Sequence, residues 1–476
     1  MPPSSKFRPA QNHMNLGTEF YDAVDAAKFP QNILRFRNQN WAQRVGLGEL
    51  TDAEWINHFG AFAPLPGSLP KPLALRYHGH QFRSYNPELG DGRGFLFAQI
   101  HDLKDGRLLD LGTKGSGQTP WSRRGDGRLT LKGGMREILA TEMLEASGVN
   151  TSKTFSLIET GESLHRGDEP SPTRSSVLVR LNYSHIRIGT FQRQLHLGNY
   201  ENISRLMDYA IETYMPEAWR EDKADRAATF LENVMQRVAS TGAQWMAAGF
   251  VHGVLNTDNI NITGESFDYG PWRFLPVLDP KFTAAYFDET GLYAFGRQPE
   301  TLLWNLTRLA ECLMPFATQS KLEPALENFG PFFYAQLRAN ILRRIGVQPQ
   351  GEDKDAVLAQ ALWTFLGTTH APFEQTFFDW YGGKISEQRA ANSPSRALYL
   401  APAFGPVRNA LQDYEPAAGV DLSHAYFQQP DACTILIDEV ESLWEPIASH
   451  DDWAPLNAKI DAIRARGRAT GIVAPI

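Results

Sequence analysis

Apolar and polar positions divide the chain into three stretches. Up to about residue 72 the pattern is irregular and punctuated by proline, most densely in Ala63-Pro64-Leu65-Pro66-Gly67-Ser68-Leu69-Pro70-Lys71-Pro72, and residues 1–72 read as an N-terminal extension that packs on the body. From 73 to 192, short apolar runs bounded by glycine predict strands at 95–100, 108–114, 154–160 and 176–181. Between the second and third of these, 135–146 carries apolar residues at helical spacing, and Gly148 stands where a C-capping glycine belongs. After about Gln192 the spacing turns helical, with helices expected at 200–214, 227–248, 301–313, 325–342, 356–366 and 373–381 and a short strand at 274–278.

A sheet carrying one inserted helix, followed by a helical region, predicts an α+β fold in two lobes with the outline of a protein kinase. The N-lobe is expected at 73–192, and a mostly helical C-lobe with a helical C-terminal region at 193–476.

The passage His252-Gly253-Val254-Leu255-Asn256-Thr257-Asp258-Asn259, followed by Asp268-Tyr269-Gly270, concentrates the candidate chemistry. A magnesium ion takes hard oxygen ligands, and in kinase-type folds an Asn and an Asp supply them. Asn259 and Asp268 fit those roles, leaving Asp258 as the carboxylate that accepts a proton from an attacking hydroxyl. An Asx-rich turn is the alternative; the Asp-Tyr-Gly placed after a short hairpin favours the catalytic reading. Protein kinases place the base Asp two residues after the loop His, where this chain has Val254, so an ordinary kinase reading must relocate its base.

Lys114 at a strand end and Glu137 on the next helix match a Lys that holds nucleotide phosphates and a Glu that positions it. Arg180 and Arg187, around Tyr183 and His185, could converge on a polyphosphate or simply face solvent. Gly90, Gly92 and Arg93, with Asp126 and Gly127, would let backbone approach a nucleotide, although they form neither a Walker A motif nor the kinase glycine loop. His78, His80 and His252 lack a third ligand at metal-binding spacing and read as structural, His252 bracing its loop.

Composition changes this picture little. With 476 residues the chain has room for two or three cooperating lobes, and 42% hydrophobic with 21% charged residues is an ordinary globular balance. A formal net charge of −8 argues against nucleic acid as a partner. Two cysteines, Cys312 and Cys433, exclude a disulfide framework and a Cys-based zinc site, and make a reducing cytoplasm the expected location. Cys312 reads as a buried apolar residue. Residues 1–17 lack the apolar core of a secretory signal, and no run approaches the ~18 apolar residues of a membrane span.

Taken together, Tyr77-His78-Gly79-His80-Gln81-Phe82, Leu89-Gly90-Asp91-Gly92-Arg93, Gly112-Thr113-Lys114-Gly115-Ser116-Gly117-Gln118-Thr119-Pro120, Arg124-Gly125-Asp126-Gly127-Arg128 and the 252–271 passage resemble the selenoprotein O family, kinase-like pseudokinases that act as protein adenylyltransferases. The resemblance covers about 73–280. It implies ATP bound inverted relative to kinases, with magnesium or manganese, and AMP transferred to Ser, Thr or Tyr hydroxyls of proteins, this chain itself included. Carried over, Lys114, Arg180 and Arg187 grip the phosphate tail and Glu137 orients Lys114. Gly90, Gly92, Arg93, Asp126, Gly127 and Asp268 belong to the nucleotide site, Asn259 and Asp268 bind the metal, and Asp258 is the base. A γ-phosphate phosphotransferase and a silent nucleotide-binding scaffold are the alternatives. Many members end in Cys or selenocysteine followed by two serines, whereas this chain ends Gly471-Ile472-Val473-Ala474-Pro475-Ile476, so redox control through that position is not expected.

Overall fold

An antiparallel sheet of nine strands, drawn from residues 9–182, is the frame on which the rest is assembled. The computed structural model describes residues 6–167 and 169–472, so the C-terminal residues 473–476 lie outside it. The strands are β1 (Pro9–Ala10), β2 (Tyr21–Ala23), β3 (Ile33–Arg37), β4 (Leu73–Leu75), the separate hairpin β5 (Gly79–Gln81) and β6 (Ser84–Asn86), then β7 (Leu96–His101), β8 (Leu108–Lys114), β9 (Leu129–Thr130), β10 (Lys153–Leu164) and β11 (Thr173–Asn182). Their order is β2-β4-β7-β8-β11-β10-β3, with β1 beside β7 and β9 beside β11.

This arrangement corrects the reading of residues 1–72 as irregular. The extension supplies β1, β2 and β3, and its helices α1 (Gln39–Arg44) and α2 (Asp52–Phe59) cover one face of the sheet. Strands of two to five residues are too short to show a period of their own.

Alternation along the strands sorts the residues between two faces. Leu109, Leu111, Val177 and Val179 pack with Trp55 and Phe59 on the α1/α2 side, while Leu157 and Leu178 join the larger core on the other. That second face carries α3 (Leu131–Ala146), which starts four residues before the predicted helix because Gly133 and Gly134 mask its first turn. Thr130 caps it by accepting from Gly133 N. A Cβ on Gly134 would lie 2.4 Å from Leu157 Cδ1, so the glycine allows α3 to sit directly on β10.

Beyond the sheet the chain is helical. α4 (Ile188–His196) lies outside the helices the spacing predicted, whereas α5 (Tyr200–Tyr214), α6 (Lys223–Ala247), α7 (Gln298–Leu313), α8 (Gln319–Glu327), α9 (Phe329–Ile345), α10 (Glu352–Thr369) and α11 (Phe373–Asp379) fall where it placed them. Two differences have local causes. The single helix expected at 325–342 is broken at Asn328, with Pro331 in the first turn of α9, where its missing N–H is no loss. The strand expected at 274–278 is only β13 (Arg273–Phe274), which pairs with β12 (Phe250–Val251) and so pins both ends of the 252–272 passage. After the short helices α12 (Glu387–Ala391), α13 (Arg396–Leu400) and α14 (Gly405–Leu411) and the longer α15 (Ile437–His450), the last helix α16 (Ala454–Ala469) returns to α3. There Arg464 forks onto Glu142 at 2.7 and 2.8 Å and Arg466 donates to Ser147 Oγ at 2.9 Å. No helix among the described residues is long and apolar enough to cross a membrane.

Candidate active site

The register of β8 and β11 builds the cationic half of the site. Lys114 ends β8 opposite Leu178, and Arg180 is opposite Gly112, so both side chains stand on the face crossed by α3. Both are buried. From α3, buried Glu137 forms a short ion pair with Lys114. Lys114 Nζ also lies 3.0 Å from Asp268 Oδ1, and Arg180 Nη1 donates to the same oxygen at 3.3 Å.

Arg187, immediately before α4, belongs to the other end of the passage. Its Nη1 donates to the Asp258 carbonyl at 3.0 Å and its Nη2 to Asp91 Oδ1 at 3.1 Å. Its guanidinium lies 4.2 Å from the centre of the Tyr77 ring and 5.0 Å from that of Phe267, which Arg180 also approaches at 5.2 Å. Gly189 in the first turn of α4 has no room for a side chain, since a Cβ there would meet the His78 carbonyl at 2.1 Å.

The two carboxylates of the passage occupy opposite environments. Burial alone would raise the Asp268 carboxyl, but Lys114, Arg180, Arg187 and Arg93 outweigh it and hold the group well below the usual carboxylate range. Asp268 sits at φ +63°, a left-handed conformation that an Asp tolerates better than most residues. Asp258 is pushed up to about 6 by burial, which Arg187 only partly offsets. Its Oδ1 has no hydrogen-bond partner among the described residues.

The remaining sequence candidates divide between contact and support. Asn259 is turned into its own loop, donating from Nδ2 to the Val254 carbonyl at 3.0 Å. Gly90 and Gly92 pack against Trp121: a Cβ at Gly90 would fall 2.5 Å from its ring, and one at Gly92 2.8 Å from its carbonyl. Ser122 Oγ donates to the Gly92 carbonyl and Thr119 Oγ1 to that of Asp91, so the 90–94 and 117–128 loops form one unit. Arg93 is exposed and its carbonyl accepts from Gly115 N at 2.7 Å. Gly127, at φ +70°, closes on Gly117, whose N–H donates to its carbonyl at 3.1 Å. Asp126 is exposed and paired with Arg166 at 2.8 Å.

The histidines serve as braces. His252 Nε2 lies 2.9 Å from the Phe267 carbonyl, and its N–H donates to Gln298 Oε1; His78 contacts Tyr85 OH and His80 contacts Gln192 Nε2, each at 2.7 Å. Cys312 is buried in α7, where burial pushes its thiol up.

Sequence reasoning missed Asp91, Tyr77 and Phe267, which fix Arg187. The signal for Asp91 was present, an acid between two glycines, but its partner lies 96 residues away. It also missed the clamp on the loop itself: Thr257 Oγ1 donates to Gln192 Oε1 at 2.6 Å and accepts from His80 N at 2.7 Å.

Buried cations gathered on one sheet face above an acidic loop are the equipment of an enzyme that handles an anionic substrate. Residues 4–464 match the family described as protein adenylyltransferase SelO. The chain is 42% identical over 470 residues to the protein nucleotidyltransferase YdiU of Trichormus variabilis, covering 95% of each. It is 43% identical over 459 residues to that of Gloeobacter violaceus, covering 94% of this chain and 93% of that protein, and 36% identical over 444 residues to that of a Bradyrhizobium species, covering 90% and 87%. The chain belongs to the SelO family of protein adenylyltransferases.

Proposed function

We propose that this protein transfers AMP from ATP to Ser, Thr or Tyr hydroxyls of proteins, releasing pyrophosphate, on a two-lobed kinase-like fold. The fold reading is supported by the sequence of parts: Lys114 ending a strand, Glu137 paired with it from the next helix, then Asp258, Asn259 and Asp268 in a loop after a long helix. In that reading the extension belongs to the N-lobe, because its strands share the sheet.

The observation that carries the function is the convergence of Lys114, Arg180 and Arg187 on one acidic passage. Three buried cations suit the β- and γ-phosphates of ATP, the most anionic part of the nucleotide. Held at that end, the nucleotide turns its α-phosphate toward the acceptor. The hydroxyl oxygen forms a bond to the α-phosphorus and the bond from that phosphorus to the bridging oxygen breaks, its electron pair leaving with pyrophosphate. Asp258, whose Oδ1 is unpartnered among the described residues, takes the hydroxyl proton. Lys114, Arg180 and Arg187 stabilise the charge that grows on pyrophosphate, and Glu137 keeps Lys114 in place.

Asn259 and Asp268 would hold a divalent cation, magnesium or manganese. The donor set fits: Asn259 spends its Nδ2 on Val254, which leaves its Oδ1 available, and Asp268 adds a carboxylate kept ionised. Such a cation supplies charge neutralisation of the phosphates.

Incubation with ATP labelled at the α or the γ position tests the reading. Stable label from the α position on protein is the expected result, and label from the γ position alone would overturn it in favour of a phosphotransferase.

A further inference from the structure

The hairpin β5–β6 presses directly on Asp258. A Cβ on Gly79 would lie 2.8 Å from Asp258 Oδ1. His80 N donates to Thr257 Oγ1, and Phe82 N is shared between Asn256 Oδ1 at 3.2 Å and Tyr293 OH at 3.1 Å. The two-residue turn of this hairpin is Phe82-Arg83, with φ +49° and +63°. Two successive left-handed residues are what a tight hairpin requires, and Asn-Gly or Asp-Gly meets that need with least strain. A Phe and an Arg there are strained.

Arg83 has a structural occupation, since it pairs with Glu300 at 2.9 Å and lies over the Trp304 ring. Phe82 rests one side of its ring near Tyr293, centroids 4.9 Å apart, and is still 39% exposed. Its ring lies 6.0 Å from Phe287, which is 46% exposed, and Phe287 in turn lies 5.1 Å from Tyr286, 82% exposed. An aromatic patch thus spans two separate segments, one before and one after the catalytic passage. Tyr293 OH ties it to the loop by donating to Asn256 Oδ1 at 2.6 Å. Strain retained to hold an apolar ring partly in water contributes nothing to folding; such strain concentrates at functional sites, and contiguous exposed apolar surface marks places of contact.

We infer that the Phe82–Tyr286–Phe287 patch docks the acceptor protein, seating an apolar side chain that lies near the Ser, Thr or Tyr receiving AMP. The occupant follows from the chemistry: the hydroxyl that reaches Asp258 is carried by a protein, and the patch is continuous with Asp258 through Asn256 and Thr257. A small acceptor would leave it bare. The inference rests on the AMP-transfer reading, and it deepens that reading by naming what the acceptor segment presents.

A positional-scanning array of peptides centred on Ser, Thr or Tyr tests it, read both by transfer from α-labelled ATP with magnesium or manganese and by retention of the peptides on the full-length enzyme. The wild type is expected to favour apolar residues at one or more positions flanking the acceptor. Phe82→Asn, which suits the left-handed turn, and the double change Tyr286→Ser with Phe287→Ser should each flatten that preference. The KM for the preferred peptide should rise about tenfold, while ATP affinity holds and neither variant lowers the melting temperature. A wild type without apolar preference, or variants that keep it, would overturn the inference. Absence of α-label from every peptide and protein would sink the AMP-transfer reading instead, and the retention readout would still decide whether the patch docks peptides.

Discussion

Asp268 and Asp258 stand ten positions apart in one passage, and the structure drives them in opposite directions. Around Asp268 the sheet delivers Lys114 and Arg180, with Arg187 and Arg93 adding their fields, and the carboxyl is held firmly ionised. Around Asp258 burial dominates, Arg187 reaches the main-chain carbonyl rather than the carboxylate, and one oxygen is left without a partner among the described residues. Identical side chains therefore acquire different character from what surrounds them, and the proposed mechanism uses the fixed charge to hold a cation and the unpartnered oxygen to take a proton.

The change expected to break this contrast most completely is Asp268→Ala. AMP transfer should fall to background, and stability should drop by about 3 kcal/mol in denaturant unfolding, because the buried cations lose their counter-charge. Asp258→Asn should act in the opposite sense on stability. The rate should fall by about 10² to 10⁴-fold, while the melting temperature rises, since a buried carboxylate with an unsatisfied oxygen gives way to a neutral amide. A melting temperature that falls in both variants would show that the two environments do not differ as described.

Asp91→Asn sharpens the comparison at its hinge, Arg187. Deprived of a charged partner at 3.1 Å, the guanidinium loses its fixed position, and ATP binding measured by calorimetry should weaken about tenfold with a smaller effect on the rate of the bound complex.

The smallest effect concerns a third carboxyl of the same passage. Glu265 is buried, accepts from Tyr183 N at 2.7 Å, and is pushed up to about 7 by burial. Its folded-state value lies above that of the unfolded chain, so the folded protein binds more protons between the two. Its stabilising contribution is complete below about pH 4.5 and is lost as the pH rises through about 7. Glu265→Gln should remove this dependence. The melting temperature of the wild type relative to that variant should therefore decline by a few degrees from about pH 5 to about pH 8.

Much of the cationic half is legible in the chain's local pattern. Lys114 at the end of β8 and Glu137 on α3 follow from an apolar run of fixed length and a helical spacing, both written within a few neighbouring residues. The ion pair between them needs only that the helix return to its sheet. Arg180 and Arg187 are ambiguous in sequence, because nothing local says which face of β11 carries Arg180 or where α4 begins. The register Arg180↔Gly112 and the start of α4 at Ile188 resolve both. Asp126, expected at the nucleotide site, pairs with Arg166, a partner 40 residues away that no local pattern announces.

The sequence alone determined most of the local elements beyond residue 72, the order Lys, Glu, Asp, Asn, Asp along the chain, and the family likeness those motifs carry, because each depends on short-range pattern. Tertiary structure alone decided that the N-terminal extension completes the sheet, that Asp91 holds Arg187, and that Phe82 is part-exposed while its N–H donates to Asn256. It also decided which carboxyl is held low by cations and which is raised by burial. Burial and distance between residues far apart in the chain set those properties, and neither is a function of the residues on either side.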